Sequence, residues 1–96
     1  MAGYFLVDVT WHDEELRTRY LEHVDATIQA HDGEFVARNP TRTALEGDWG
    51  VEGVFLLTRF PTVERGLEWY HSEAYAPLRE LRHRGARTKM LFFEGD

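Results

Sequence analysis

Residues 68–75 read "EWYHSEAY", which sets three aromatic rings, an imidazole and a hydroxyl within eight positions. Two readings of this cluster follow from its residue types. In the first, His71 is a general base working near neutral pH, flanked by the Ser72 hydroxyl. In the second, His71 is a solvated residue at a helix end, where an imidazolium meets the negative pole of the helix. Ser72 lacks the strand–turn–helix elbow of an activated nucleophile, and capping accounts for it. Trp69, Tyr70 and Tyr75 suit either a pocket for a planar ligand or a core whose tyrosine hydroxyls reach a polar rim.

Other chemistry-bearing residues stand near strand ends. Asp8, Arg38 and Arg59 fall late in apolar segments, where a charge either finds a partner or faces a cavity rim. Arg38 suits the role of anchor for a carboxylate or enolate. The competing reading is an ion pair, such as Asp8 with an arginine. A pocket enzyme needs at least a base and an anion anchor. The catalytic candidates are therefore His71, Tyr75 and Asp8, with Arg38, Tyr20, Trp69 and Ser72 as binding candidates. His12, His23, His31, His71 and His83 form no ligand-like spacing, so no metal site is expected. With no glycine-rich phosphate loop or dinucleotide fingerprint, no cofactor is expected either.

The elements that must position these residues are legible in outline. "YFLVDV" (residues 4–9) is aromatic and β-branched, which predicts a strand. Asp13 is placed to cap a helix, with Glu14 and Glu15 in its first turn and Leu16, Tyr20, Val24, Ile28 and His31 as its apolar stripe. Gly33 is expected to end it in the left-handed conformation. "EFVAR" (34–38) and "GVFLLTRF" (53–60) predict two more strands around a Pro-, Gly- and Thr-rich loop. Thr62 should cap a second helix running to about His71. Ser72 then starts a separate turn, because Pro77 lacks an amide for a continuous helix. A short helix through Leu78 and Leu81 ends near Gly85, and "TKMLFFE" (88–94) is the last strand.

The order β-α-β-β-α-β predicts an α+β, ferredoxin-like single domain over residues 1–96 with a four-stranded antiparallel sheet. Both faces of its strands are apolar. Phe5, Val7 and Val9 alternate with Tyr4 and Leu6; Val54, Leu56 and Phe60 with Phe55 and Leu57; Met90 and Phe92 with Leu91 and Phe93. Two helices cover only one face, so the other is expected to meet a second copy in a homodimer.

Composition narrows the partners. Seventeen acids against eleven bases give a formal charge of −6, which repels phosphate backbones and disfavours nucleic acid. The locally basic "RELRHRGARTK" (79–89) would serve such a partner only as one continuous exposed stripe. The N-terminal apolar run is interrupted by Asp8 and is too short for a membrane span. A chain without cysteine suits a reducing cytoplasm.

"LEGDW" (45–49), "FPTVERGLEWYHSEAY" (60–75) and "PLRELRHRGAR" (77–87) resemble, in their order and spacing, domain-of-unknown-function family thirteen-thirty (DUF1330). Tyr20 also stands thirteen residues before Gly33 as in that family, although Asp32 replaces a common glycine. The resemblance implies a dimeric α/β barrel. That superfamily includes cofactor-independent monooxygenases, muconolactone isomerases, stress-responsive barrels and haem-degrading members, but the family brings no settled activity of its own. Trp69, Ser72 and Tyr75 match the family pattern Trp-Tyr-Asp-Ser-Pro-Glu-Tyr, and His71 departs from it. Arg82 matches the family's helix arginine, placed to bind substrate or to cross a dimer interface to an acid such as Glu46. Two expectations result: a pocket protein binding an aromatic or polyketide-like metabolite for isomerisation, cyclisation or oxygenation, and a non-catalytic, ligand-carrying homodimer.

Overall fold

The computed structural model describes residues 1–96 as four strands and three helices: β1 (Ala2–Trp11), α1 (Glu14–Ala30), β2 (Glu34–Arg38), β3 (Val54–Phe60), α2 (Val63–His71), α3 (Ala76–Gly85) and β4 (Ala86–Gly95). The strands form one antiparallel sheet in the order β2-β3-β1-β4, which is the predicted ferredoxin-like arrangement. β1 and β4 run longer than their apolar centres because each pairs with the other over ten residues, from Ala2 opposite Gly95 to Trp11 opposite Ala86.

Local chemistry sets the helix ends. The Asp13 carboxylate accepts from the Leu16 amide at 3.1 Å, and the Thr62 hydroxyl accepts from the Arg65 amide at 3.0 Å. The end of α1 differs from expectation. Asp32, at φ 65°, takes the left-handed position, and the amides of Asp32 and Gly33 bond back to Gln29 and Ile28. Gly33 serves another purpose: a Cβ there would stand 2.5 Å from the Phe60 ring and 2.7 Å from Ile28. The break between α2 and α3 lies where Pro77 requires it, in the first turn of α3.

All three helices lie on one sheet face. Phe5, Val7, Val9 and Phe60 point into it and pack with Val24, Ile28, Trp69, Tyr75 and Leu78 as the core. Trp69 is its centre, 4.1 Å from the Tyr75 ring, 5.1 Å from Phe5 and 5.4 Å from Phe60 by ring centroids, with its indole N–H donated to Thr27 Oγ1 at 3.0 Å. On the other face, Leu91 and Phe93 are 60% and 41% exposed. The loop from Asn39 to Gly53 folds partly over that face, strapped by Arg42, which donates to the carbonyl of Gly53 at 2.6 Å.

Candidate functional site

Three elements bring a tyrosine pair and an arginine together inside the core. Tyr75 stands in the turn before α3, and Ser72 sets that turn: its hydroxyl accepts from the Tyr75 amide at 3.1 Å and donates to the Trp69 carbonyl at 2.8 Å. Tyr20 reaches across from α1 until its hydroxyl oxygen lies 2.7 Å from that of Tyr75. Arg82, two turns along α3 on the same side as Tyr75, donates Nε–H to the Tyr75 oxygen at 3.3 Å.

Counting donors shows what this chain of groups can offer. The Tyr75 oxygen accepts from Arg82, and each phenol has one proton to give. The single contact between the two hydroxyls uses one of those protons and leaves the other uncommitted. Tyr75 is fully buried, whereas Tyr20 lines a cleft. Tyr75 donating to Tyr20, and Tyr20 presenting its proton to the cleft, is the arrangement that leaves no buried donor orphaned. Burial, followed by the proximity of Tyr75, holds the Tyr20 pKa well above its ordinary value, with Arg82 pulling weakly the other way. Tyr20 is therefore a neutral donor at physiological pH and not a base.

Arg82 is 4% exposed, yet no carboxylate reaches it; every ion pair in the structure involves other residues. Burial presses against its charge, but the hydroxyls of Tyr75, Tyr20 and Tyr70 outweigh that and hold its pKa above the ordinary arginine value. A buried guanidinium is normally paired with an anion. Here its terminal nitrogens make no hydrogen bond within the chain.

The cleft these groups face has a volume of about 250 Å³ and lies between the sheet and α1. Phe5, Val24, Ile28, Leu56, Trp69 and Met90 make its walls apolar. That volume falls just below the usual range for ligand pockets, roughly 300–1,000 Å³. Arg82 and Met90 also border an outer groove that carries Tyr70, His83 and Thr88.

The structure distributes the sequence candidates unequally. Tyr20, Trp69, Tyr75 and Arg82 meet at the cleft, and Ser72 positions Tyr75 from behind. His71 is exposed at the end of α2, its ring edge-on to Tyr70, and lines neither the cleft nor the outer groove. Asp8 points to the opposite sheet face and borders a larger cavity of about 550 Å³ under the 39–53 loop, beside Lys89 and Trp49. Asp8 and Tyr75 therefore cannot act on one ligand within one chain. Arg38 stands at the cleft rim, forked onto Asp25 with both bonds at 3.1 Å and stacked 4.3 Å above Phe35. Its ion pair is with Asp25 rather than Asp8. Arg82 turns inward to Tyr75, because its position three residues before buried Gly85 and four after buried Leu78 faces the core. The run from Arg79 to Lys89 is consequently not a continuous exposed stripe. Residue types alone did not single out Thr27, which holds Trp69, or Arg17, which lines the cleft mouth. For Thr27 the signal was its place three residues after Val24 and seven after Tyr20 on α1.

Solved structures share this architecture. A protein of unknown function from Rhodopseudomonas palustris, RPA0582, superposes with TM-score 0.76 at 13% identity, covering 98% of this chain and 82% of that one. SnoaB, a cofactor-independent oxygenase from Streptomyces nogalater, superposes with TM-score 0.66 at 10% identity over 99% of this chain and 93% of its own. The Arabidopsis thaliana protein At3g17210 does so with TM-score 0.66 at 9% identity over 98% and 88%. At such identities the likeness is one of fold. Among curated proteins no match is found. No helix is long and apolar enough to cross a membrane. The resemblance noted in "EWYHSEAY" and its flanking segments holds over nearly the whole sequence: residues 2–96 match the family described as Domain of unknown function (DUF1330), and the chain belongs to it.

Proposed function

We propose that the cleft binds a small, mostly apolar ring compound bearing an acidic hydroxyl or enol, and that the protein is an enzyme acting on its enolate without a cofactor. The observation that carries this reading is the Arg82–Tyr75–Tyr20 chain: a buried cation without a carboxylate, polarising two phenols toward an apolar cavity. Donors fixed in a water-poor site stabilise an oxyanion far better than water does, because they need not reorganise as charge develops. No acid or imidazole lines the cleft, so water is the base: the carbon-bound proton passes to a water molecule, and the charge stays on the substrate oxygen, which accepts the Tyr20 O–H. Isomerisation, cyclisation and reaction with dioxygen all start from that anion, and a relative in fold, SnoaB, is a cofactor-independent oxygenase.

The test is deuterium exchange at an enolisable carbon of a bound cyclic ketone such as 2-tetralone, followed by proton NMR. Exchange should be faster with the protein than with buffer alone, and Tyr20→Phe should slow it by about 10²-fold, the effect of losing one oxyanion donor. Binding without accelerated exchange would leave the non-catalytic carrier as the correct description.

We also propose a homodimer built on the open sheet face. Tyr4 stacks on Phe93 there with centroids 5.4 Å apart, and Leu91 stands exposed beside them. Each Å² of such apolar surface removed from water contributes about 25 cal/mol.

A further inference from the structure

Every fully ionised group lining the cleft is a cation. Arg82 stands inside, and Arg17 and Arg38 stand at the mouth with Asn39, while no aspartate, glutamate or histidine contributes to the wall. In a chain with seventeen acids and eleven bases, this concentration runs against the overall charge of −6. The three arginines also differ in depth. Arg82 is 4% exposed and bonds to Tyr75, which meets Tyr20, whereas the side chains of Arg17 and Arg38 are 39% and 50% exposed, so the cleft has an inner, phenol-lined end and an outer mouth of arginines.

Arg17 is the less committed of the outer pair. Its guanidinium makes no hydrogen bond, and its one ionic neighbour, Glu14, lies 3.6 Å away with its side chain 82% exposed. Arg38 spends two of its five N–H groups on Asp25 and keeps the others. A guanidinium recognises a planar two-oxygen anion better than any other side chain does. An exposed carboxylate on the solvent side, such as Glu14, weakens this little, because water screens it.

From this charge pattern, and resting on the cleft reading above, we propose that the ligand carries a second acidic group. It is an aromatic or alicyclic hydroxy-carboxylic acid, whose hydroxyl or enol meets Tyr20 inside while its carboxylate meets Arg17 and Arg38 at the mouth. Arg17 is then a specificity-determining residue: it selects the acid over the neutral analogue and takes no part in the chemistry at the inner end.

Calorimetric titration of the intact protein with 2-naphthol and with 6-hydroxy-2-naphthoate tests this. The acid should bind at least about tenfold more tightly than the naphthol, the scale of a charge-assisted hydrogen bond. Arg17→Gln should bring the acid down toward the naphthol and leave naphthol binding unchanged. Arg17→Lys, which keeps the charge and loses the fork, should retain part of the preference. Equal binding of the two wild-type ligands overturns the proposal while leaving the cleft reading standing, as does a uniform loss of both in Arg17→Gln. Failure of both ligands to bind overturns the cleft reading together with it. Arg17 lies on the exposed first turns of α1, and unchanged circular dichroism of the variants separates recognition from folding.

Discussion

The two faces of the sheet are built from alternate residues of the same strands, yet they end in opposite states. On the helix side, Phe5, Val7 and Val9 of β1 are buried by the chain's own helices, and the aromatic neighbours of Trp69 fill most of the space. On the other side, Leu91 and Phe93 stay open and only a loop leans over Asp8 and Phe55. Ionisable groups divide in the same way. The helix side holds a buried arginine without a counter-ion, whereas the open side puts Lys89 directly across the strand pair from Asp8. One face is complete within a single chain apart from its charge. The other is balanced in charge but incomplete in cover. This difference is why a ligand is assigned to the first face and a second copy of the chain to the second.

The sharpest way to break that contrast is to empty the helix side. Trp69→Ala removes a 3%-exposed ring that touches Phe5, Phe60 and Tyr75 and leaves Thr27 without its donor. Loss of a buried Trp costs about 3–5 kcal/mol, a large share of the roughly 5–15 kcal/mol that holds a domain folded. Urea denaturation followed by circular dichroism should show the midpoint collapse. A loss below about 0.5 kcal/mol, the scale of an ordinary surface site, would mean the aromatic cluster is not the core.

On the open face the same kind of change should act on association instead. Leu91→Asp places a carboxylate where a single chain already exposes 60% of the residue. Folding of the isolated chain should move by no more than about 0.5 kcal/mol. Sedimentation should show the proposed dimer giving way to monomer, since an unpaired buried charge is costly at an interface. A dimer untouched by Leu91→Asp would move the interface elsewhere, and a wild-type chain that is monomeric throughout would remove it.

How much of this was legible in the sequence depends on the range over which each feature is encoded. Strand alternation and the caps at Asp13 and Thr62 are local, and they yielded the element order and the double-faced sheet. The left-handed residue at Asp32 was missed because glycine is the usual occupant of that position, while Gly33 is required by the Phe60 ring, a contact between elements. The meeting of Tyr20 and Tyr75 spans 55 positions, and periodicity says which face a residue takes, not which atoms across the core it finds. Arg82 was half legible. Leu78, Arg82 and Gly85 fall at core spacing, but the neighbouring Arg79 and Arg84 made the segment read as a solvated basic run. His71, whose residue type promised most, lies at the exposed helix end that its position at the end of α2 dictates.

The smallest expected effect isolates one phenol of the site. Tyr20→Phe orphans the buried Tyr75 hydroxyl, for a loss of about 1–3 kcal/mol at neutral pH. Its pH signature is more specific than its size. Below about pH 10 the Tyr20 phenol is protonated in both folded and unfolded chains and contributes no pH dependence. Above that, the unfolded chain releases its proton while burial and then Tyr75 keep the native phenol neutral. The native state then binds more protons, so stability falls as pH rises. The phenylalanine variant has no such proton to lose. The stability advantage of the wild type should therefore hold steady from neutral pH to about pH 10 and shrink beyond it. Parallel stability curves on both sides of that point would place Tyr20 in water rather than in the cleft. The Arg82–Tyr75–Tyr20 chain would then lose its outlet to the ligand.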